Sequence, residues 1–233
     1  MKNIFLVCLS LIVGTALYGQ KTSVGLQAGP MLYQGDLVPG IVSLKAMSVG
    51  AGINFQHEFN KWVSFRATVN AGKIKGDDSF YDIPERTQRG YSFVANIWSA
   101  TTAVEWDILH RVRFDANGLF ERSWAPYIGI GVGVIGANPT VSHQNDITPK
   151  LATDLSYEQK PAIMIPLTLG IKRHVSMHWT VAGFATFYGI DSDYIDGISK
   201  SASPNQNDTM IFGGLSFNYY FKVPTPILND DGM

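Results

Sequence analysis

The residues best suited to chemistry lie in the segment 173–178. His174 and His178 are spaced i, i+4, which brings two imidazoles to one metal ion only when the segment is helical. Ser176 and His178 could form a nucleophile and its base, but no carboxylate that could orient the imidazole is close in sequence. Because the segment is typical of a short turn between two strands, we expect a solvated turn, no metal site and no enzyme activity.

A second candidate is the acidic segment Asp191-Ser192-Asp193-Tyr194-Ile195-Asp196-Gly197. An EF-hand loop needs acidic side chains at alternating positions, a glycine at the sixth position and a closing glutamate. Here the third aspartate, Asp196, is at the sixth position of the segment, one later than the pattern requires. No closing glutamate follows. We therefore expect a solvated acidic loop, and no cofactor or metal ion anywhere in the chain.

Arg66 and Glu105 are a third candidate, because both occupy positions whose strand neighbours alternate between apolar and polar. The alternation predicts that both side chains point into the interior, near the ends of two adjacent strands. A buried charge is tolerated only when it is paired. The sequence therefore predicts an internal ion pair between Arg66 and Glu105.

The first residues have the features of a cleaved secretion signal. Lys2 precedes an apolar stretch, Ile4–Leu17, which is too short to cross a membrane as a helix. We predict a signal peptide at 1–20, with cleavage after Gly19 or Gln20. The one cysteine of the chain lies inside it, so the mature chain can form no disulfide and has no thiol nucleophile or cysteine metal site.

The composition is unusual for a water-soluble domain. Charged residues make up 16% of the chain and aromatic residues 12%, there are 23 glycines, and the net charge is −1. The mature chain has no apolar run of the length that a membrane helix needs, and the charge argues against nucleic-acid binding. Low charge with many aromatic and glycine residues is typical of a transmembrane barrel, in which every second residue faces lipid.

Period-two alternation then predicts the strands. It is clearest in Met47–His57 and Val63–Gly72, where apolar and small or polar residues alternate five times. The full set of predicted strands is Ser23–Leu32, Met47–His57, Val63–Gly72, Ser92–Asp107, Tyr127–Gly136, Ile163–Lys172, Trp179–Ile190 and Met210–Phe221. We predict an all-β fold: one antiparallel transmembrane β-barrel of eight strands at 21–222, followed by a short periplasmic tail at 223–233. A soluble β-protein is the alternative.

The lengths of the connections predict how the barrel is oriented. Short turns follow the second and sixth strands, whereas long segments follow the first, third, fifth and seventh. Short periplasmic turns and long outer loops are typical of multi-pass barrels in the outer membrane of Gram-negative cells. Because the interior of eight strands is only wide enough for side chains, we do not expect an open channel.

One predicted periplasmic connection, Ile108–Ala125, is longer than this pattern allows. It carries basic and aromatic residues of the types enriched at protein interfaces, which are Arg111, Arg113, Phe114, Phe120 and Arg122. We regard these five as candidate partner-binding residues. Strands four and five could equally extend below the membrane as a hairpin that turns at Asn117-Gly118.

Several short motifs recur in a familiar order. They are Tyr33-Gln34-Gly35-Asp36-Leu37, Pro126-Tyr127-Ile128-Gly129-Ile130-Gly131-Val132, Ile165-Pro166-Leu167-Thr168-Leu169-Gly170-Ile171-Lys172, Asp193-Tyr194-Ile195-Asp196-Gly197-Ile198-Ser199 and Phe212-Gly213-Gly214-Leu215-Ser216-Phe217. In this order the chain resembles the PorG-type outer-membrane barrels of Bacteroidetes, a family tied to the type IX secretion system. The family motif residues in the outer loops are Gly35, Asp36, Asp193, Tyr194 and Asp196.

The resemblance implies a non-enzymatic scaffold in protein transport. Such a barrel would sit in outer-membrane lipid and hold a periplasmic ring of secretion subunits, including a lipoprotein, without a nucleic-acid partner or a small-molecule substrate. Gly197 stands where related barrels often have an acidic residue, so a paralogue that kept the fold and lost the ring is also open. The alternative from another class is a stand-alone surface barrel whose outer loops bind a ligand or a host surface.

Overall fold

The computed structural model describes residues 22–38, 43–80, 90–109, 119–143, 148–199 and 207–221. The predicted signal peptide and the predicted tail lie outside these ranges. The strands are β1 (Thr22–Gln34), β2 (Ser48–Glu58), β3 (Val63–Asp77), β4 (Tyr91–Asp107), β5 (Trp124–His143), β6 (Ala162–His174), β7 (Trp179–Ile190) and β8 (Thr209–Tyr220). One helix, α1 (Pro149–Leu155), lies between β5 and β6.

The eight strands form a closed antiparallel barrel in sequence order, and β8 pairs with β1 to complete it. The predicted fold class is therefore confirmed. At one end, which we call the turn end, the connections are 59–62, 108–123 and 175–178. At the other end, the loop end, they are loop 1 (35–47), loop 2 (78–90), loop 3 (144–161) and loop 4 (191–208).

Two strands are clearly longer at the loop end than the sequence predicts. β3 continues to Asp77 and β5 continues to His143, and both remain paired with β4 to their ends. The outward residues of these extensions are polar, as at Lys73, Asn138 and Thr140. The apolar alternation that predicts the strands therefore stops before the hydrogen-bonded wall does.

The outer surface of the barrel is apolar, and the inner surface changes along the axis. Large outward side chains are well exposed, such as Leu26 at 65%, Val49 at 73% and Ile130 at 60%. A contiguous exposed apolar surface of this kind marks contact with lipid or with another protein. Inside, polar residues fill the turn end and an apolar cluster fills the loop end.

Among the described residues, no helix combines the length and the apolar character needed to cross a membrane.

Three of the described histidines lie within strands: His57 in β2, as predicted, His143 at the end of β5, and His174 at the end of β6, where a solvated turn was predicted. His174 ends β6, pairs with Thr180 and is buried, and its Nδ1 lies 2.7 Å from the Thr180 hydroxyl. His57 lies in β2, with Nδ1 3.0 Å from the Thr22 hydroxyl. The expectation was wrong for His174 because the β6–β7 turn is tighter than predicted: the Val175 amide donates to the Trp179 carbonyl at 3.0 Å.

Candidate functional site

The turn end of the lumen contains the ion pair that the sequence predicts. Arg66 and Glu105 lie on the paired strands β3 and β4 and are both buried. The Arg66 Nε lies 2.5 Å from Glu105 Oε1. The second guanidinium nitrogen, Nη2, donates to the Gln56 side-chain oxygen at 3.1 Å, so the guanidinium is held at two points.

Two further charges complete this network, and sequence reasoning missed both. Lys172 Nζ lies 2.7 Å from Glu105 Oε2 and 3.2 Å from Asp107 Oδ1. It also lies 4.1 Å from the centre of the Tyr127 ring. The alternation of inward and outward residues could have identified both. Lys172 comes two residues after the inward Gly170, and Asp107 comes two residues after the inward Glu105. The network of Arg66, Glu105, Asp107 and Lys172 carries two positive and two negative charges and is balanced.

This charge network seals the turn end. Beside it, Tyr220 donates its hydroxyl proton to Glu58 at 2.7 Å. Above it, the central cavity measures about 30 Å³, which is room for little more than one water molecule. Within the described part of the chain, no three His, Cys, Asp or Glu side chains are grouped so that they could hold a metal ion. The arrangement therefore closes the lumen at the turn end.

The loop end is closed by the loops themselves. Loop 1 contributes Leu37 and Val38, α1 contributes Leu151, and loop 4 contributes Ile195 and Ile198. All five side chains are at most 2% exposed. They pack on apolar side chains of the upper wall, which include Tyr33, Ile74, Phe93, Ile135, Met164, Tyr188 and Phe212. We call this cluster the apolar plug.

The acidic segment of loop 4 is solvated only at its start, at Asp191, and is buried from Ile195 to Gly197, which corrects the expectation from the sequence. Asp196 is fully buried, because Ile195 and Ile198 on either side of it belong to the apolar plug. Gly197 allows the backbone to turn between Asp196 and Ile198, because its φ of +83° suits glycine. A Cβ at this position would lie 2.9 Å from Pro139 Cγ. Asp193 and Tyr194 are half-buried at the edge of the same loop.

The buried carboxyl groups of the loop end come from three distant segments. Asp208 Oδ1 accepts the hydroxyl proton of Tyr33, and Oδ2 accepts from the Ile195 amide at 2.9 Å. Asp196 Oδ1 accepts from the Ile198 amide at 2.9 Å. Asp36 in loop 1 is also buried and acts electrostatically on both carboxyls. We call Asp36, Asp196 and Asp208 the acidic cluster.

The acidic cluster brings together residues of two family motifs. Gly35 and Asp36 form a tight turn, in which the Gly35 and Val38 backbones hydrogen-bond to each other in both directions. Asp36 and Asp196 lie far apart in the sequence but at the same end of the barrel. Tyr33 and Asp208, which connect them, were not among the predicted site residues. The hydrogen bond between those two spans 175 residues, and no local pattern signals it.

Burial makes ionisation unfavourable in this cluster. The pKa of Asp208 is raised from 3.8 to about 8, chiefly by burial. The hydrogen bonds from Tyr33 and Ile195 oppose this rise, and the nearby charges of Asp193 and Asp36 add to it. Burial, followed by the charge of Asp208, also raises the pKa of Asp196 well above its ordinary value. Desolvation and like charge are both known to keep a carboxyl group protonated.

The predicted partner-binding residues are only partly described. Phe120 is half-buried and Arg122 is exposed at the turn end, next to Leu119, which is 66% exposed. Arg111, Arg113 and Phe114 lie outside the described residues. The base of this connection is fixed to the barrel, because the Ile108 amide donates to the Pro126 carbonyl at 2.8 Å.

Comparison with solved structures returns small outer-membrane barrels at low sequence identity. NspA, the neisserial surface protein A, is 12% identical with a TM-score of 0.49, and the match covers 86% of this chain and 97% of NspA. Ail, the attachment invasion locus protein of Yersinia pestis, is 8% identical with a TM-score of 0.47, covering 86% and 98%. OprG from Pseudomonas aeruginosa is 12% identical with a TM-score of 0.42, covering 88% and 99%.

Comparison of the sequence alone gives a family. Among proteins with curated descriptions, none matches this sequence. The family model described as "Domain of unknown function (DUF6089)" matches residues 2–227, which is nearly the whole chain. The chain therefore belongs to the DUF6089 family.

Proposed function

We propose that this chain is a multi-pass barrel of the Gram-negative outer membrane that acts as a non-enzymatic anchor in type IX protein secretion. The observation that carries the proposal is the filled lumen. The charge network at the turn end and the apolar plug at the loop end leave a central cavity of about 30 Å³. A barrel without a channel can act only through its surfaces, which is what an anchor requires.

The outer surface supports a membrane location. The outward apolar side chains are bordered at the turn end by exposed tryptophans, including Trp62, Trp124 and Trp179. Tryptophan is enriched where a membrane meets water. Basic groups lie over two of these rings: Lys61 Nζ is 5.8 Å from the Trp62 ring centre, and Arg173 Cζ is 4.7 Å from that of Trp124. Such pairs suit a boundary between lipid and headgroups.

The turn end supports contact with a periplasmic ring that includes a lipoprotein. If the loops face outward, periplasmic subunits can reach only the turn-end connections and the termini. The connection 108–123 is the longest of these, and its described part presents Leu119, Phe120 and Arg122. An aromatic residue beside an arginine is a common form of interface hot spot.

One observation favours the second candidate, a stand-alone surface barrel that binds through its loops. Tyr157 of loop 3 stacks on Tyr194 of loop 4, with ring centres 3.9 Å apart and planes at 12°. Tyr157 is 41% exposed. A stacked aromatic pair with one exposed ring is suited to contact with a ligand or a host surface.

The two candidates are separated by paired variants in cells. In a strain carrying the tagged chain, envelopes are crosslinked and the co-purified periplasmic lipoprotein subunits are quantified. Substituting Arg113→Ala and Phe120→Ala together should reduce their recovery strongly, because a hot-spot anchor contributes about 2 kcal/mol or more. Tyr157→Ala is the matched control at the loop end and should have no effect. Heat-modifiable gel mobility reports whether each barrel is folded. A wild-type chain that co-purifies with no periplasmic lipoprotein subunit in repeated experiments would favour the stand-alone surface barrel.

A further inference from the structure

We propose that protons shared within the acidic cluster hold residues 191–199 of loop 4 closed on the barrel, and that this part of the loop is released as the pH rises. The proposal concerns the loop end alone and goes beyond the anchoring function at the turn end. It is carried by the geometry of Tyr33, Asp36, Asp196 and Asp208, together with one buried oxygen that has no donor.

The cluster is one polar connection between loop 4 and the barrel wall, beside the hydrogen bond from the Asp191 amide to the Ile163 carbonyl of β6 at 2.9 Å. Asp208 precedes β8 and accepts from Tyr33 on β1 and from the Ile195 amide of loop 4. The Asp208 amide also donates to the Ser192 carbonyl at 2.9 Å. Asp208 therefore joins a wall strand to the two halves of loop 4, and its protonation state bears directly on closure.

The described groups that face Asp196 and Asp208 are neutral or acidic. Tyr33 faces them from β1, Asp36 from loop 1, and Asp193 from loop 4 itself. From α1, Asp154 accepts from the Ser199 amide of loop 4 at 3.3 Å. Lys45, the described base of loop 1, donates to the Phe80 carbonyl of loop 2 at 2.7 Å. No base is among the groups with the largest effect on Asp196 or Asp208, so closure buries negative charge unless protons neutralise it.

Asp196 provides the independent observation. Its side chain is fully buried, and its Oδ2 has no hydrogen-bond partner among the described residues. An ionised carboxylate oxygen that is buried without a donor is strongly destabilising. A proton on Asp196 removes that charge. Without the proton, the carboxylate is stabilised only by the Ile198 amide and by the nearby Tyr33 hydroxyl, whose proton Asp208 already accepts. The oxygen therefore suits a carboxylic acid better than a carboxylate.

The direction of the pH effect follows from the raised pKa of Asp208. Asp208 has a pKa of about 8 when loop 4 is closed and an ordinary value of 3.8 when the loop is open and solvated. The stabilisation of the closed loop is complete below the ordinary value, declines as the pH rises towards about 8, and changes no further above it. The raised pKa of Asp196 acts in the same direction.

A proton fits the site better than a metal ion does. The three carboxyls do not form a group that could hold a metal, in the part of the chain that the structure describes. Asp208 also uses both oxygens for hydrogen bonds with Tyr33 and Ile195. A cation would have to displace those donors, whereas a proton on Asp196 displaces none.

The test is hydrogen exchange of the full chain folded in vesicles with EDTA present, at pH 5, 7 and 9. After correction for intrinsic exchange, peptides covering 195–199 should exchange at least about tenfold faster at pH 9 than at pH 5, since one pKa unit corresponds to a tenfold change in population. Peptides from β4 should not change. In Asp196→Asn the side-chain oxygen can still accept from Ile198 and the charge is gone. The ratio in this variant should be smaller than in the wild type, because only Asp208 still titrates.

Asp191→Asn is the matched control, because Asp191 lies in the same loop with an exposed side chain, and it should respond as the wild type does. If Asp196→Asn lacks the heat-modifiable mobility of a folded barrel, Asp208→Asn replaces it with the same expectation. Wild-type protection of loop 4 that is equal at pH 5 and 9 would overturn the proposal. So would an unchanged pH response in the folded Asn variant, or restoration of protection at pH 9 by millimolar Ca²⁺ in place of EDTA.

Discussion

Both ends of the lumen bury acidic side chains, but they neutralise them differently. At the turn end, Glu105 and Asp107 are paired with Arg66 and Lys172. At the loop end, Asp196 and Asp208 receive hydrogen bonds from Tyr33 and from backbone amides. The first arrangement carries its own counter-charges, whereas the second depends on protons from solution.

This difference indicates a division of labour along the barrel axis. The ion pairs of the charge network fix the wall strands β3, β4 and β6 to one another. At the loop end, the carboxyls have only neutral hydrogen-bond donors, so their protonation and the closure of loop 4 depend on pH. A rigid turn end suits the proposed contact with periplasmic subunits, and a conditional loop end suits the face that meets the exterior.

The largest expected effect is the removal of the shared base of the turn end. Lys172→Met leaves Glu105 and Asp107 with one positive partner in place of two. Breaking a buried ion network in this way costs about 3–5 kcal/mol, so the free energy of unfolding in urea should fall by that amount. Lys61→Met, at an exposed position, is the control and should change it by less than about 0.5 kcal/mol. Equal effects for the two lysines would show that the network is not essential to the barrel.

The next effect concerns the apolar plug. Leu37 is completely buried in loop 1, and Leu37→Ala should destabilise the closed loop end by about 2–4 kcal/mol through lost burial and a cavity. Because loops open independently of the wall, exchange should accelerate in loops 1 and 4 while β6 stays protected. Acceleration throughout the barrel would mean that the two ends of the lumen are one cooperative unit.

A smaller effect is expected at the turn within loop 4. Gly197→Ala places a side chain at φ +83° and 2.9 Å from Pro139 Cγ, which should cost about 1–2 kcal/mol of loop closure. Gly183→Ala is a matched control, because a Cβ there meets nothing within 4 Å. Chymotrypsin cleavage of loop 4 in folded barrels should increase for Gly197→Ala and not for Gly183→Ala.

The smallest effect is at the start of α1. The Thr148 side chain accepts from the Leu151 amide at 3.2 Å, and Thr148→Ala should cost about 1 kcal/mol of local stability. Exchange of loop 3 should rise about fivefold, while loop 1 and the turn end stay unchanged. Thr153→Ala serves as the control on the exposed side of the same helix. Increased exchange at the turn end would show that the two ends of the lumen do not open independently.

The fold could be predicted from the sequence because a barrel wall repeats with period two. That pattern identifies all eight strands, and it fails only where the outward residues of β3 and β5 become polar beyond the apolar surface. The same parity places Arg66 and Glu105 inside, and would also have placed Asp107 and Lys172 there.

The loop end could not be predicted in the same way. Loop residues have no period, so Asp193 and Asp196 looked like a solvated acidic segment. Their burial depends on Ile195 and Ile198 packing against walls that are distant in sequence. The contact between Tyr33 and Asp208 follows from closure of β8 on β1 and not from either local sequence.

The sealed lumen, on which the proposed anchoring function depends, is tested most directly by conductance. Purified barrel is inserted into planar bilayers at pH 6 and pH 9. Because the charge network closes the turn end regardless of loop 4, no steady single-channel current should appear at either pH. A stable ohmic conductance at pH 6 would mean that the lumen is open, and would contradict a barrel that acts only through its surfaces.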